Sequence, residues 1–310
     1  MPLEIKKWNG RPITAPGFYS GVPIEVYHSQ DICNGPSVSS SGLRHCLEEN
    51  DGSPAHFYST WSGNPKRIEQ KDPAHFRLGR AAHHLLLGQP NFAKLFAISP
   101  YENFRTNESK DWRDGEILKG RTVLTQADIE IVRGMSARIG RNRNIVAMLS
   151  GKIELSGFWI DHQTGLWVKI RPDSVPTTAP NSVDAADLKT ATSVQRDACS
   201  RAITDFAYHQ QAGLIIDGFD IIAGIHVATF SLVFIETDEP YCIVIKLLDD
   251  QDIELGRVQN RMALDTIARC IRENRWPGPS EGEIEQARLT DRYRSLVNRR
   301  MAEAQQERRS

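Results

Sequence analysis

Asp173 closes the run Trp167-Val168-Lys169-Ile170-Arg171-Pro172-Asp173, and Asp187-Leu188-Lys189 follows after thirteen residues. In an extended chain successive side chains alternate faces, so Asp187 and Lys189 project to one side while Leu188 points into the core. Two carboxylates and an ammonium then converge. Carboxylates a few ångströms apart repel by roughly 4 kcal/mol at an effective dielectric of about 20, so such a pair persists only if protonated or bridged by a cation. A divalent metal is the natural bridge. The chemistry it offers is phosphodiester hydrolysis, in which a carboxylate-held Mg²⁺ acts as Lewis acid and water activator and Lys189 orients or deprotonates the water and offsets phosphate charge.

Several elements must position these groups. Leu78, Ala81, Ala82, Leu85 and Leu86 have helical spacing, with Gly88 where a helix would end, and His83 and His84 ride on that helix. One residue apart on a helix, they point about 100° away from each other. Residues 101–120 are polar and basic, with Arg105, Lys110 and Trp112, and are expected to form a solvent-facing loop. A second helix is expected from Thr125, with Asp128 completing a capping box, to about Ile139. Residues 154–160 and 166–172 alternate apolar and polar around Asp161-His162-Gln163-Thr164-Gly165, the pattern of a hairpin. Trp167, Lys169, Arg171 and Asp173 are expected on one face of its second strand. Pairing about Gln163 brings Glu154 within a residue or so of Asp173, where the register decides whether it reaches a metal or pairs with Arg171. One helix is then expected over 193–218, carrying Tyr208 and Gln211. Two apolar strands at 225–236 and 241–247 read as central in a sheet covered on both faces. A long amphipathic helix over 249–274 is stopped at Trp276-Pro277-Gly278.

With 310 residues and 40% hydrophobic side chains, the chain suits one elaborated α/β core rather than two equal domains. Residues 1–65, rich in Gly, Pro and Ser, read as an extended lead-in packed on the core, 66–280 as the catalytic domain, and 281–310 as a charged helical tail. A net charge of -1 gives no global pull toward DNA, so contact with nucleic acid must come from a locally basic groove. Arg105, Lys110, Lys169 and Arg171 are the candidates. The five cysteines contain no CxxC pair, which argues for reduced structural thiols and against a cysteine-ligated zinc or iron–sulfur cluster. There is no His-Glu-x-x-His and no Walker loop, so a zinc hydrolase and an ATP-driven motor are disfavoured. His56, His75 and His226 read as packing or surface residues. Without a signal-peptide core or a membrane-length apolar run, a cytoplasmic location is expected.

The order of these elements matches the PD-(D/E)xK nucleases, and more narrowly the chain resembles the exodeoxyribonuclease VIII (RecE-like) family of phage and prophage exonucleases. The resembling segments are Gly17-Phe18-Tyr19 with Tyr27-His28, Ser37-Val38-Ser39-Ser40-Ser41-Gly42-Leu43, Ser53-Pro54-Ala55-His56-Phe57 and Leu78-Gly79-Arg80-Ala81-Ala82-His83. They continue through Thr164-Gly165-Leu166, Arg171-Pro172-Asp173, Asp187-Leu188-Lys189-Thr190, Tyr208-His209-Gln210-Gln211 and Trp276-Pro277, covering about residues 17–280 in order. Val183-Asp184-Ala185-Ala186 departs from the family in being less apolar.

The resemblance implies a PD-(D/E)xK core with a central mixed β-sheet flanked by α-helices. It implies His83 as the motif histidine near the metal, Asp173, Asp187 and the Leu188 carbonyl as metal ligands, and Lys189 as the catalytic lysine, with Tyr208 and Gln211 flanking. A nitrogen ligand from His83 shifts preference from Mg²⁺ toward Mn²⁺. The resemblance further implies 5′ to 3′ degradation of linear duplex DNA from its ends, a ring-shaped homo-oligomer, in particular a tetramer, and a RecT-like single-strand annealing partner. An endonuclease on the same fold, and a DNA-binding or assembly module with a decayed site, are the competing readings.

Overall fold

The computed structural model describes residues 3–68, 74–88, 91–153, 155–176, 182–284 and 286–307. Within it the chain divides into two compact units, Met1–Trp276 and Pro277–Ser310. The first unit opens with β1 (Ile5–Lys7), β2 (Gly17–Ser20), α1 (Ile24–Tyr27), β3 (Ser37–Ser39), α2 (Ser40–His45) and α3 (Pro54–Thr60). It continues through α4 (Ala74–Leu86), α5 (Phe92–Leu95), β4 (Phe96–Ile98), α6 (Asn107–Leu118), β5 (Thr122–Leu124), α7 (Gln126–Gly140) and α8 (Arg143–Met148). Then follow β6 (Ser156–Ile160), β7 (Trp167–Ile170), β8 (Ser182–Ala191), α9 (Arg196–Asp205), α10 (Tyr208–Ala223), β9 (His226–Glu236), β10 (Ile243–Leu247) and α11 (Asp250–Glu273). The second unit holds α12 (Asp291–Glu307).

Two mixed sheets carry the architecture. One has the order β1-β2-β6-β7-β3 and the other β10-β9-β8; a small parallel pair, β4-β5, stands apart. The 1–65 segment is more than a lead-in: β2 pairs antiparallel with β6, and β3 pairs parallel with β7. These three- and four-residue strands owe their state to partners more than a hundred residues away, so local pattern did not reveal them. In the second sheet β8 and β9 run parallel, joined through α9 and α10. Alternation sorts β9: Phe230, Leu232 and Phe234 join the main core with α10 and α11, while Val233 and Ile235 meet Leu188 and the α7 and α8 residues Met135 and Ile145. The last strand, β10, is an edge with half-exposed residues, not a covered central strand, because only β9 pairs with it.

Local signals explain the elements nearest the site. Thr125 and Asp128 form the expected capping box of α7, and Gly88 has φ +68° just beyond α4. The expected loop at 101–120 instead contains α6, started by Thr106, whose hydroxyl accepts the Ser109 amide; its largely polar surface hid it from a periodicity reading. The single helix expected over 193–218 is broken in two, since Ala207 takes φ +51° between α9 and α10. No helix among the described residues is long and apolar enough to cross a membrane.

Candidate active site

The site forms where the two sheets meet. β7 stops at Ile170, and Pro172, which has no amide hydrogen to give a ladder, turns the chain so that Asp173 leaves the sheet. Asp173 then crosses to the second sheet, where its Oδ2 accepts the backbone N–H of Leu188 at 2.6 Å. Its Oδ1 lies 3.4 Å from Nδ1 of His83, delivered by α4. Asp173 therefore does not share a face with Lys169 and Arg171, as continued strand geometry had suggested. On β8, Asp187 and Lys189 do share a face, with Leu188 buried behind them.

Lys189 is held on three sides. Its Nζ is 2.5 Å from Oδ2 of Asp187, donates to Oε1 of Gln211 at 2.9 Å, and sits 4.1 Å from the centre of the Tyr208 ring. Gln211 donates in turn to Oδ1 of Asp187 at 3.5 Å. The side chains of Asp187 and Lys189 are only 4% and 12% exposed, so this is a largely desolvated pair. The contact at Asp187 Oδ2 is an ion pair without the alignment of a hydrogen bond, which leaves that buried oxygen with lone-pair capacity.

Charges within the cluster are coupled. Burial and the neighbouring Asp173 charge raise the pKa of Asp187 against the pull of Lys189. Burial also opposes ionisation of Asp173, but His83 and the Leu188 amide outweigh it and lower that pKa. Burial would lower His83, and the Asp173 carboxylate, with Asp187 behind it, raises it instead. The His83 side chain is 29% exposed, so its contact with Asp173 decides the direction. For Lys189, burial is outweighed by Asp187, which keeps the ammonium charged. In this arrangement the Lys189 ammonium is a hydrogen-bond donor and a positive charge.

The residues fit a hard divalent cation by donor chemistry. Asp173 and Asp187 supply carboxylate oxygens, one buried and without an aligned hydrogen bond, and the Leu188 carbonyl follows Asp187 directly in sequence. Among the described residues no group of three His, Cys, Asp or Glu side chains is already disposed around one point, so water would complete the shell. Glu154 lies outside the described residues. The hairpin pairs Gly157 with Ile170 and Lys152 with Val175, one residue from the register centred on Gln163.

A cavity of about 980 Å³ opens over Lys189, His83 and Tyr208. Arg171 lines it, with Nη1 donating to the Val22 carbonyl at 2.9 Å. Lys169 is elsewhere: it is 3% exposed and its Nζ donates to the Tyr27 carbonyl at 2.7 Å, so it is not presented to a duplex. Arg105 and Lys110 are exposed near and on α6 and do not line the cavity. His84 is buried against Phe92 and Phe96, as its position on the helix predicts. His56 bonds Ser53 at the start of α3, and His226 is exposed; the side chain of His75 is outside the described residues. Arg80, Lys94 and His28 line the cavity and were not singled out from sequence. Arg80 precedes His83 by three residues and His28 stands in the resembling pair Tyr27-His28, so both carried a signal; Lys94 carried none.

This fold and cluster define a PDDEXK-like α/β domain. The chain belongs to the family described as PDDEXK-like domain of unknown function (DUF3799), which matches residues 39–290. No curated protein matches the sequence. Among solved structures, a crystal structure described as "putative exonuclease" from Eubacterium rectale superposes with a TM-score of 0.56 at 14% identity, covering 82% of this chain and 91% of that one. At that identity the likeness is one of fold.

Proposed function

We propose that this protein is a divalent-metal-dependent exodeoxyribonuclease that degrades linear duplex DNA from its ends. The observation that carries the reading is the convergence of His83, Asp173, Asp187, Lys189 and Gln211 from α4, the turn after β7, β8 and α10, with His83 and Lys189 of this cluster lining one cavity. Buried charges are costly, and this chain gathers four ionisable groups where one ion pair would satisfy a purely structural need. The family and the description of the structural neighbour favour a nuclease and an exonuclease, respectively.

A divalent cation held by Asp173, Asp187 and the Leu188 carbonyl supplies Lewis acidity toward the scissile phosphate and toward water. The chain does the rest by position. Lys189 presents a cationic donor to the phosphate oxygens, where negative charge builds as the bond breaks. Gln211 holds both Lys189 and Asp187, and the Tyr208 ring face supports the ammonium. His83 and the Leu188 amide fix the two oxygens of Asp173. Arg80 and Lys94 at the cavity wall are suited to backbone phosphates.

Resemblance to the RecE-like family extends the proposal to 5′ to 3′ polarity, release of mononucleotides, 3′ single-stranded products for recombination by annealing, a RecT-like partner, a ring-shaped tetramer and a cytoplasmic setting. Mn²⁺ is expected to support activity at least as well as Mg²⁺, and a metal titration without Mn²⁺ activity would argue against His83 as a ligand. The deciding experiment digests one plasmid, closed and linearised, with the parent protein and Lys189→Ala side by side in either metal. Loss of the linear form alone, and only with the parent, supports the exonuclease. Cutting of closed circles makes it an endonuclease, and no lysine-dependent loss of either form leaves a binding module.

A further inference from the structure

Two features of the chain outside the residues that line the cavity are complementary. The first is the outer edge of β10. Glu236 donates to the Cys242 carbonyl and Leu248 to that of Phe230, so in this antiparallel pair the even-numbered residues turn their backbone groups toward β9. Ile243, Ile245 and Leu247 turn theirs outward, and no strand among the described residues pairs with that edge. Their side chains are open as well, with Ile245 40% and Leu247 65% exposed. A cavity of about 500 Å³ lies beside this edge, floored by Ile145, Ile243 and Ile245 and rimmed by Arg138, Arg141 and Arg143. These three arginines make no ion pair with the described residues. Open, apolar strand edges are usually blocked, and this one instead carries a cationic rim.

The second feature is the start of the Pro277–Ser310 unit. Trp276, stacked 4.4 Å from Tyr58, ends the first unit, and Pro277-Gly278-Pro279 follows. After Gly282 the sequence alternates acidic and apolar at Glu283-Ile284-Glu285. Glu283 has extended backbone, φ −67° and ψ 149°, and Ile284 is fully exposed. As a strand, this stretch would put its glutamates on one face and Ile284 on the other.

We propose that the stretch beginning at Glu283-Ile284 of a second copy of this chain adds to the outer edge of β10. Main-chain bonds would give the affinity, and glutamates over Arg138, Arg141 and Arg143 the choice of partner. Each copy offers an edge and a strand at different places, so the contact is head-to-tail; it is closed by reciprocal exchange between two copies or by a larger ring, and left open it makes a filament. It deepens the ring assembly proposed above while resting on none of the nuclease chemistry.

The test uses the full chain. The mass of the parent in solution is compared with those of Ile284→Pro, which removes a strand donor, and of Arg138→Glu/Arg141→Glu. Separately, the single variants Ile245→Cys and Glu283→Cys, which the docking places on one face, are mixed and oxidised, and the chain carrying both is oxidised alone, with each single variant as the control for the native cysteines. We expect a multimeric parent, self-association weakened on the order of tenfold or more in both mass variants, and a cross-linked dimer in the mixture only. A monomeric parent overturns both this docking and the ring. A multimer unchanged by either variant overturns the docking alone, and cross-linking confined within a doubly substituted chain assigns the edge to the chain's own tail. Lysine-dependent digestion of linear DNA is read independently of all three outcomes.

Discussion

Replacing Lys169 by methionine should remove an alkaline rise in stability that the parent protein carries. The Lys169 ammonium is buried beneath the Tyr27 ring, 5.2 Å from its centre, with the Tyr27 carbonyl as acceptor and no carboxylate beside it. Burial pushes its pKa down to about 8 from an ordinary 10.5, with Cys33 pulling weakly the other way. Between those two values the unfolded chain binds more protons than the folded one, so stability climbs with pH across that window. The gap corresponds to roughly 3 kcal/mol in all, of which about 1.3 kcal/mol is regained between about pH 7 and pH 9. Burial also pushes Cys33 and Cys46 up to about 12, and those thiols lose stability as pH rises above their ordinary value, masking the climb in the parent alone. The difference between parent and Lys169→Met isolates it. At neutral pH the variant gains about 3 kcal/mol from removing a desolvated charge and loses about 1–3 kcal/mol by leaving the Tyr27 carbonyl unpaired, so the two nearly cancel. Urea unfolding at three pH values then reads one quantity. If the parent–variant difference stays flat within a few tenths of a kcal/mol, Lys169 is not a buried, depressed ammonium and the reasoning fails.

Three further outcomes follow from other parts of the molecule. Lys189→Met strips the counter-charge from Asp187 and should cost about 3–5 kcal/mol without metal, on the order of 10 °C in Tm; Mg²⁺ or Mn²⁺ should then raise the variant's Tm more than the parent's, and equal shifts would remove Asp187 from the metal site. Gly256→Ala would place a Cβ 2.5 Å from the His209 carbonyl oxygen and 2.7 Å from the Gln210 Cα, both backbone, so α11 must draw back from the first turn of α10. A loss of about 1–3 kcal/mol in urea melts, with activity reduced several-fold because Tyr208 and Gln211 share that turn, is expected; a stabilised, fully active variant would contradict the packing. Arg261 grips both oxygens of Asp161, at 2.7 and 3.0 Å, and with Thr164 outweighs burial to hold that carboxyl below its ordinary pKa. This contribution is present above about pH 4 and lost as pH falls further, so Arg261→Leu should lower neutral stability while softening the acid decline; parallel acid-unfolding curves would refute it.

Much of the site was legible because its signals are local. Alternation along 187–189 fixed which side chains meet, helical spacing separated His83 from His84, and the turn-forming residues 161–165 located the hairpin, with its register one residue from the one centred on Gln163. What escaped depends on distant partners or on single dihedrals. Nothing in Phe206-Ala207 announces a left-handed residue, so α9 and α10 read as one helix. Polar α6 lacked an apolar stripe, and β2 and β3 become strands only against β6 and β7. Lys169 illustrates the remaining limit: period-two reasoning put it on a face with Arg171, but the 1–65 segment folds over that face and buries it.

The bond from the Leu188 amide to Asp173 has a consequence for observing the protein. β7 and β8 belong to different hydrogen-bonded sheets, and this amide reaches from one to the carboxylate that ends the other. Its proton is therefore a built-in gauge of whether the two halves are docked. Exchange of that one amide with solvent deuterium requires the Asp173 carboxylate to let go, so its rate reports the opening of the site directly, without substrate or turnover.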